Sequence, residues 1–149
     1  MSLNDKVMEA IKIAMKAKDT QSLEALRAVK SALLIAQTET GSKLELAEAD
    51  EIKLLQKQVK QRKDSAAIYS DQGRADLAEP EMAQAAIIEQ FLPKQMGEDE
   101  VGVIVERIIA QTGASSMADM GKVMGLVSAE LAGKADGKTI STLVKAKLA

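Results

Sequence analysis

The near-absence of aromatic side chains restricts this chain's fold more than any other feature. Of its 149 residues, 46% are hydrophobic but only 1% are aromatic. The core must therefore be built from Ala, Leu, Ile, Val and Met, a mixture that favours helices over sheets. Apolar residues also recur at steps of three and four along most of the chain, and this pattern predicts an all-α fold.

Breaks in the apolar pattern divide the predicted helices into two groups. Four are expected before Pro93, at about 3–16, from about 20, at 48–70 and from Pro80, with a loop at Gly41-Ser42. Three shorter ones follow at 98–112, 116–132 and 137–148. Short helices joined by glycine turns are typical of a compact bundle. We therefore predict a helical N-terminal domain over 1–93 and a small C-terminal three-helix domain over 94–149.

The residue types that are missing narrow the possible chemistry. The chain has no cysteine and no histidine, which excludes Ser-His and Cys-His nucleophiles and leaves only carboxylates for a zinc ion. We predict no catalytic residue, no metal site and no cofactor. No apolar run reaches the roughly 18 residues of a membrane span. The N-terminal residues begin an amphipathic pattern rather than an apolar signal segment, so we expect a cytoplasmic protein without a membrane partner.

Charge is distributed unevenly, although the net charge is only −2. Five bases and no acid lie between Lys53 and Lys63. Eight acids and a single base, Lys94, lie between Asp76 and Glu106. From Arg107 onward there are six bases and three acids. The near-neutral net charge is therefore the sum of an acidic middle region and two basic regions.

The glycine-rich stretch from Gly113 to Lys138 contains the most unusual residue choices. Gly113 is expected to end a helix in the left-handed conformation. Ser116 with Asp119 has capping-box spacing, and Asp136 is a suitable N-cap for the last helix.

Two further glycines of this stretch, Gly121 and Gly125, fall inside a predicted helix. Each costs that helix about 1 kcal/mol relative to alanine. We interpret them as close-approach glycines, facing either another helix or a ligand. Tight helix packing is the more usual reason for such glycines.

Two groups of basic residues are candidate phosphate contacts. The first lies in the glycine-rich stretch and comprises Lys122, Lys134 and Lys138. The second lies on the third predicted helix and comprises Lys57, Lys60, Arg62 and Lys63. The alternative for the second group is a solvated, salt-bridged helix face. With so few aromatics, any nucleic-acid binding would be based on backbone and shape, which suits a folded RNA.

Several motifs together resemble the GatB/YqeY family over nearly the whole chain. They are Lys60-Gln-Arg-Lys-Asp-Ser-Ala66, Leu92-Pro-Lys-Gln95, Gly113-Ala-Ser-Ser116, Asp119-Met-Gly-Lys-Val-Met-Gly125 and Gly133-Lys-Ala-Asp-Gly137. That family contains small free-standing proteins of this length. It also includes the C-terminal tail of the B subunit of glutamine-dependent aminoacyl-tRNA amidotransferases.

The resemblance implies an all-helical protein related to a tRNA-contacting appendage. It also implies an association with a carbon–nitrogen ligase that uses glutamine as amide donor, although the amidation chemistry of the family belongs to other domains. Our first hypothesis is therefore a non-catalytic, tRNA-associated accessory module. The alternative is an adaptor that docks on an aminoacyl-tRNA synthetase or an amidotransferase. A free-standing enzyme is a third hypothesis.

Overall fold

A computed structural model of the chain describes residues 2–39, 41 and 46–149. Every regular element in these ranges is helical, which confirms the predicted all-α fold. A 3₁₀ turn, Met117–Asp119, leads into the sixth α-helix. The α-helices are α1 (Leu3–Ala17), α2 (Thr20–Glu39), α3 (Glu48–Asp71), α4 (Ala75–Glu89), α5 (Glu98–Thr112), α6 (Met120–Glu130) and α7 (Gly137–Leu148).

The first compact unit, Met1–Leu92, packs α1 to α4 around an aliphatic core. In this N-terminal unit α3 packs on α4, α1 on α2, and α2 on α4. Burying one large aliphatic side chain contributes about 1.5–3 kcal/mol, so the core holds the bundle together. Its innermost side chains expose no more than 1% of their surface: Val7, Ala25, Leu26, Val29, Leu55, Ala85 and Ile88.

The second compact unit, Pro93–Ala149, is a three-helix bundle of α5, α6 and α7. The core of this C-terminal unit is rich in valine, a residue of only moderate helix propensity because its branched side chain loses freedom in a helix. Packing therefore outweighs propensity here. The valines with no exposed surface are Val101, Val105, Val123, Val127 and Val144.

Helix ends follow the predicted capping residues in most places. Gly113 ends α5 with φ +70°, and its N–H donates to the carbonyl of Ile109 at 3.0 Å. Asp136 caps α7, because its carboxylate accepts from the N–H of Thr139 at 2.7 Å. Gly41 has φ +65°, as a turn requires, while its predicted partner in that loop, Ser42, lies outside the described residues.

The start of α6 differs from the prediction. Ser116 makes no capping hydrogen bond with its side chain. The carboxylate of Asp119 accepts instead from the N–H of Ser115 at 3.1 Å, so the predicted capping box is wrong. The intervening residues form the 3₁₀ turn, and the α-helix begins at Met120. The Asp119 carboxylate thus bonds to an N–H four residues earlier, whereas a capping box spans three residues.

The start of α4 also differs from the prediction. The helix begins at Ala75, so Pro80 lies inside it rather than in its first turn. The Arg74 guanidinium donates to both carboxylate oxygens of Asp76 at 3.1 and 3.0 Å and lowers the pKa of that carboxyl. Ala78 is buried in the first turn. Proline has no backbone N–H, so Pro80 cannot donate a hydrogen bond to the preceding turn. The contacts of Arg74, Asp76 and Ala78 stabilise that turn instead.

A polar network joins three helices of the N-terminal unit. Arg62 on α3 donates from Nε to the Oε1 atom of Gln84 on α4 at 3.2 Å. It also donates from Nη1 to the side chain of Gln58 at 2.7 Å. Gln84 in turn donates to a carboxylate oxygen of Glu24 on α2 at 3.1 Å. The network therefore fixes α3 and α4 against α2 at the edge of the core.

We predict that Gln84→Ala lowers the free energy of unfolding of the N-terminal unit by about 1 kcal/mol, because it removes an acceptor from Arg62 and a donor from Glu24. Urea unfolding followed by circular dichroism measures this loss. The matched control is Gln61→Ala, an exposed glutamine of the neighbouring helix, for which the change should stay within about 0.5 kcal/mol. Equal effects of the two substitutions would show that the network does not stabilise the unit.

Candidate nucleic-acid interface

Three lysines of α3 point away from the bundle. Lys53, Lys57 and Lys60 are exposed, and their spacing of four and three residues puts them on one helix face. At about 100° per residue, this face lies opposite the buried Leu55 and Val59. The one ion pair on it among the described residues, Lys60 with Asp64 at 4.0 Å, is exposed at both ends and so contributes little.

The other two predicted α3 residues are engaged inside the N-terminal unit. Arg62 is half-buried in the network with Gln84 and Gln58. Lys63 forms an ion pair with Glu89 of α4 at 2.6 Å. They flank the buried face on its two sides, so each side chain can reach a neighbouring helix. The structure therefore separates Arg62 and Lys63, which hold the bundle, from Lys57 and Lys60, which face outward.

A shallow groove of about 460 Å³ lies between α2 and α3 beside these outward lysines. Lys53 and Lys57 line it together with Asp50 and Glu39, so both signs of charge border the groove. Ile35 of α2, which is 56% exposed, also lines it. Mixed charge makes this surface less suitable for a phosphate backbone than an all-basic one would be.

In the C-terminal unit, two of the basic residues form ion pairs and the predicted phosphate contacts do not. Arg107 pairs with Glu130, and Lys147 pairs with Glu106. Lys122, Lys134 and Lys138 are exposed, and none of them forms an ion pair with a residue in the described ranges. Their positive charges are therefore available to a partner.

The acids that follow Arg107 are already engaged within the unit. Glu130 pairs with Arg107. The Asp119 carboxylate accepts from the N–H of Ser115, and the Asp136 carboxylate accepts from the N–H of Thr139. Each of these three carboxylates therefore has a partner within the unit.

The candidate lysines occupy two regions of the C-terminal unit. Lys134 lies in the turn after α6, and Lys138 lies four residues later in the first turn of α7. Lys145 follows on α7 after two turns, about 10.5 Å along the same face. Lys122 lies at the opposite end of α6, with about 12 Å of helix between it and Glu130. The α3 residues belong to the other unit.

Gly121 and Gly125 face outward on α6. A Cβ atom built on either glycine meets no other atom within 4 Å among the described residues. The buried residues of α6, Val123 and Val127, lie on the opposite side of the helix. No packing partner within 4 Å among the described residues explains these glycines, and their role as close-approach residues stays a prediction. The two glycines leave an uncovered part of the α6 surface beside Lys122 and Leu126. The side chain of Leu126 is 46% exposed.

One residue that shapes this region appeared in the sequence only as part of a family motif. The side-chain amide of Gln95 donates to the carbonyl of Gly133 at 2.7 Å and to that of Pro93 at 2.9 Å. The next residue, Met96, donates its N–H to the carbonyl of Lys134 at 2.8 Å. The carbonyls of Gly133 and Lys134, in the turn after α6, therefore accept hydrogen bonds from Gln95 and Met96, which lie nearly forty positions earlier in the chain. Only tertiary structure shows why the two motifs occur together.

Neither a metal site nor a membrane segment is found in the part of the chain that the structure describes. No group of three or more Asp or Glu side chains within it is arranged to hold a metal ion. None of the helices found there combines the length and the apolarity that crossing a membrane requires.

Comparison with known proteins shows the family. The family model described as Yqey-like protein matches residues 4–148, so the chain belongs to the YqeY-like family, as its motifs indicated. A curated relative is the E subunit of the glutamyl-tRNA(Gln) amidotransferase of Thermococcus gammatolerans, which is 37% identical over 73 residues. The match covers 46% of this chain but only 12% of that relative. The chain thus corresponds to a small part of its relative's length.

We predict that Gly125→Ala raises the free energy of unfolding of the C-terminal unit by about 0.5–1 kcal/mol, because the new methyl group meets empty space and alanine favours the helix. Gly121→Ala should have a smaller effect in the same direction, since it lies in the first turn. The control is Gly113→Ala, whose φ of +70° makes a loss of stability the expected result. Thermal unfolding measures all three, and destabilisation by Gly125→Ala would contradict the open space around this glycine.

Proposed function

We propose that the chain is a tRNA-associated accessory module whose C-terminal unit contacts phosphates through Lys122, Lys134 and Lys138. Three findings support the proposal: membership of the YqeY-like family, similarity to part of a glutamyl-tRNA(Gln) amidotransferase, and the exposure of these lysines. That name describes the relative alone. For this chain, tRNA is a proposed ligand. The proposal places the module in the cytoplasm.

The observation that carries the proposal is the difference in pairing among the cations of the C-terminal unit. Arg107 and Lys147 are neutralised by glutamates, whereas the three proposed contacts have no such partner among the described residues. A cation that binds phosphate gains affinity by releasing the counterions of the nucleic acid. A paired cation would first have to give up its carboxylate. The unpaired lysines are therefore the better phosphate contacts.

In this proposal the module performs no chemistry of its own. Without histidine or cysteine, it lacks the side chain that most often acts as general base and any thiolate nucleophile. The carbon–nitrogen ligase reaction, with glutamine as amide donor, is assigned to the enzyme with which the module works. The role of the module is to hold the tRNA backbone through charge.

A second candidate function is supported by the open face of α6. Gly121 and Gly125 permit close approach of another helix, and the exposed Leu126 and Met117 beside them provide apolar surface for it. An adaptor docking through this face on an aminoacyl-tRNA synthetase or an amidotransferase would use these residues rather than the lysines. Association with the purified enzyme after nuclease treatment distinguishes the adaptor from the tRNA-binding module.

We predict that the double substitution Lys122→Glu/Lys134→Glu weakens tRNA binding at least about tenfold at moderate salt, because two phosphate contacts are lost and two repulsive charges are added. The matched control is Lys12→Glu/Lys16→Glu on α1, which makes the same change in net charge at exposed positions outside the proposed interface. Fluorescence anisotropy with labelled tRNA measures both, and circular dichroism confirms that helix content is unchanged. Equal affinity losses in the two variants would contradict the assignment and leave only net charge as the cause.

A further inference from the structure

We propose that Lys94 is a fourth phosphate-contacting residue, that it acts together with Lys134 and Lys138, and that Gln95 positions the group. The inference rests on the proposed function, because the ligand is again the phosphate backbone of tRNA. From the sequence, Lys94 is an isolated base in the acidic stretch between Asp76 and Glu106. The fold also places it close to the turn that carries Lys134.

Backbone contacts bring Lys94 to the turn that carries Lys134. The N–H of Met96 donates to the carbonyl oxygen of Lys134 at 2.8 Å. The path from the Cα atom of Lys94 to that of Lys134 then consists of one Cα–Cα step of about 3.8 Å, part of Gln95, the hydrogen bond and one carbonyl. The two Cα atoms are therefore at most about 12 Å apart. Flexible four-carbon stems allow both ammonium groups to reach one stretch of phosphate backbone.

Burial on either side of Lys134 directs its side chain outward. Gly133 and Ala135 are buried, while Lys134 between them is exposed. Lys94 is exposed as well, and within the described ranges it forms no ion pair. Together with Lys138 they place three exposed ammonium groups around the turn between α6 and α7.

The acids nearest this group in the sequence lie at the starts of two helices. Asp136 directs its carboxylate to the N–H of Thr139, with which it caps α7. Glu98, Asp99 and Glu100 follow Lys94 in the first turn of α5, where the helix dipole stabilises negative charge. Among the described residues, Glu98, Asp99 and Glu100 form no ion pair with Lys94, Lys134 or Lys138. Lys94, Lys134 and Lys138 therefore remain exposed beside these acids, and a phosphate can reach each of the three ammonium groups.

Gln95 is a positioning residue in this arrangement. Its side-chain amide joins the carbonyl of Pro93, just before Lys94, to the carbonyl of Gly133, just before Lys134. Gly133 has φ +78°, a conformation that other residues resist, so the turn has a fixed shape. Holding both lysine backbones before the ligand arrives reduces the ordering cost of binding.

The test is the salt dependence of tRNA binding by the full chain and its Lys94→Ala variant. Each phosphate contact contributes about 0.7–0.9 to the slope of log K against log salt. We expect Lys94→Ala to lower the slope by about that amount and to weaken binding roughly five- to tenfold near 0.1 M salt. The control is Lys12→Ala, an exposed lysine of α1, for which the slope should not change.

The possible results separate this inference from the proposed function. If the wild-type chain binds tRNA with a salt-dependent affinity and Lys94→Ala behaves like Lys12→Ala, the inference is overturned and the proposed function stands. If the wild-type chain does not bind tRNA even at low salt, both are overturned. A reduced slope in Lys94→Ala alone supports both.

A second variant tests the positioning role. Gln95→Leu keeps the approximate size of the side chain but cannot donate to either carbonyl. We expect trypsin to cleave after Lys134 faster in this variant, and Lys94→Ala to cost less affinity in the Gln95→Leu background than in the wild type. A change in thermal stability with unchanged cleavage and fully additive affinity losses would reduce Gln95 to a structural residue.

Discussion

Burial of aliphatic side chains on one face of each helix is the constraint from which the rest of the structure follows. With almost no aromatic residues, each unit must fill its core with Val, Leu, Ile and Ala, as the fully buried side chains Leu26, Ile88, Val123 and Val144 show. One face of every helix is thereby committed to the core. The charged residues are left on the outer faces, where their neighbours decide whether they are paired or free.

Pairing then separates structural charges from available ones. In the N-terminal unit Arg62 and Lys63 flank the buried face of α3 and contact α4. Lys57 and Lys60 lie opposite that face and point outward. In the C-terminal unit Arg107 and Lys147 meet glutamates of neighbouring helices. A basic run in the sequence is thus divided by the fold into residues that hold a bundle and residues that a partner can reach.

Local sequence signals predicted much of this fold, and the structure shows where they failed. The bounds of α5 and α7 coincide with the prediction, because a glycine in the left-handed conformation ends α5 and an aspartate caps α7. The position of Pro80 differs from the prediction because the Arg74–Asp76 pair and the burial of Ala78 extend α4 backward. The burial of Ala78 depends on which helices pack together, and sequence spacing alone does not show this.

The candidate site was less predictable than the fold for the same reason. The lysines of the glycine-rich stretch were visible from the sequence, but the engagement of Arg62 and Lys63 depends on α4. The open space around Gly121 and Gly125 depends on which face of α6 is buried. The sequence shows Lys94 only as a single base in an acidic stretch. Its position near Lys134 depends on hydrogen bonds from Gln95 and Met96 to the turn after α6, and these connect residues nearly forty positions apart.

The central claim is that unpaired lysines of the C-terminal unit, and not the basic run as a whole, meet the phosphates of tRNA. Chemical acetylation of the full chain with and without tRNA, read by mass spectrometry at every lysine, tests it in one sample. The account predicts protection at Lys94, Lys122, Lys134 and Lys138, with unchanged modification at Lys12 and Lys63. Protection confined to the lysines of α3, or no protection at any lysine while tRNA is bound, would contradict it.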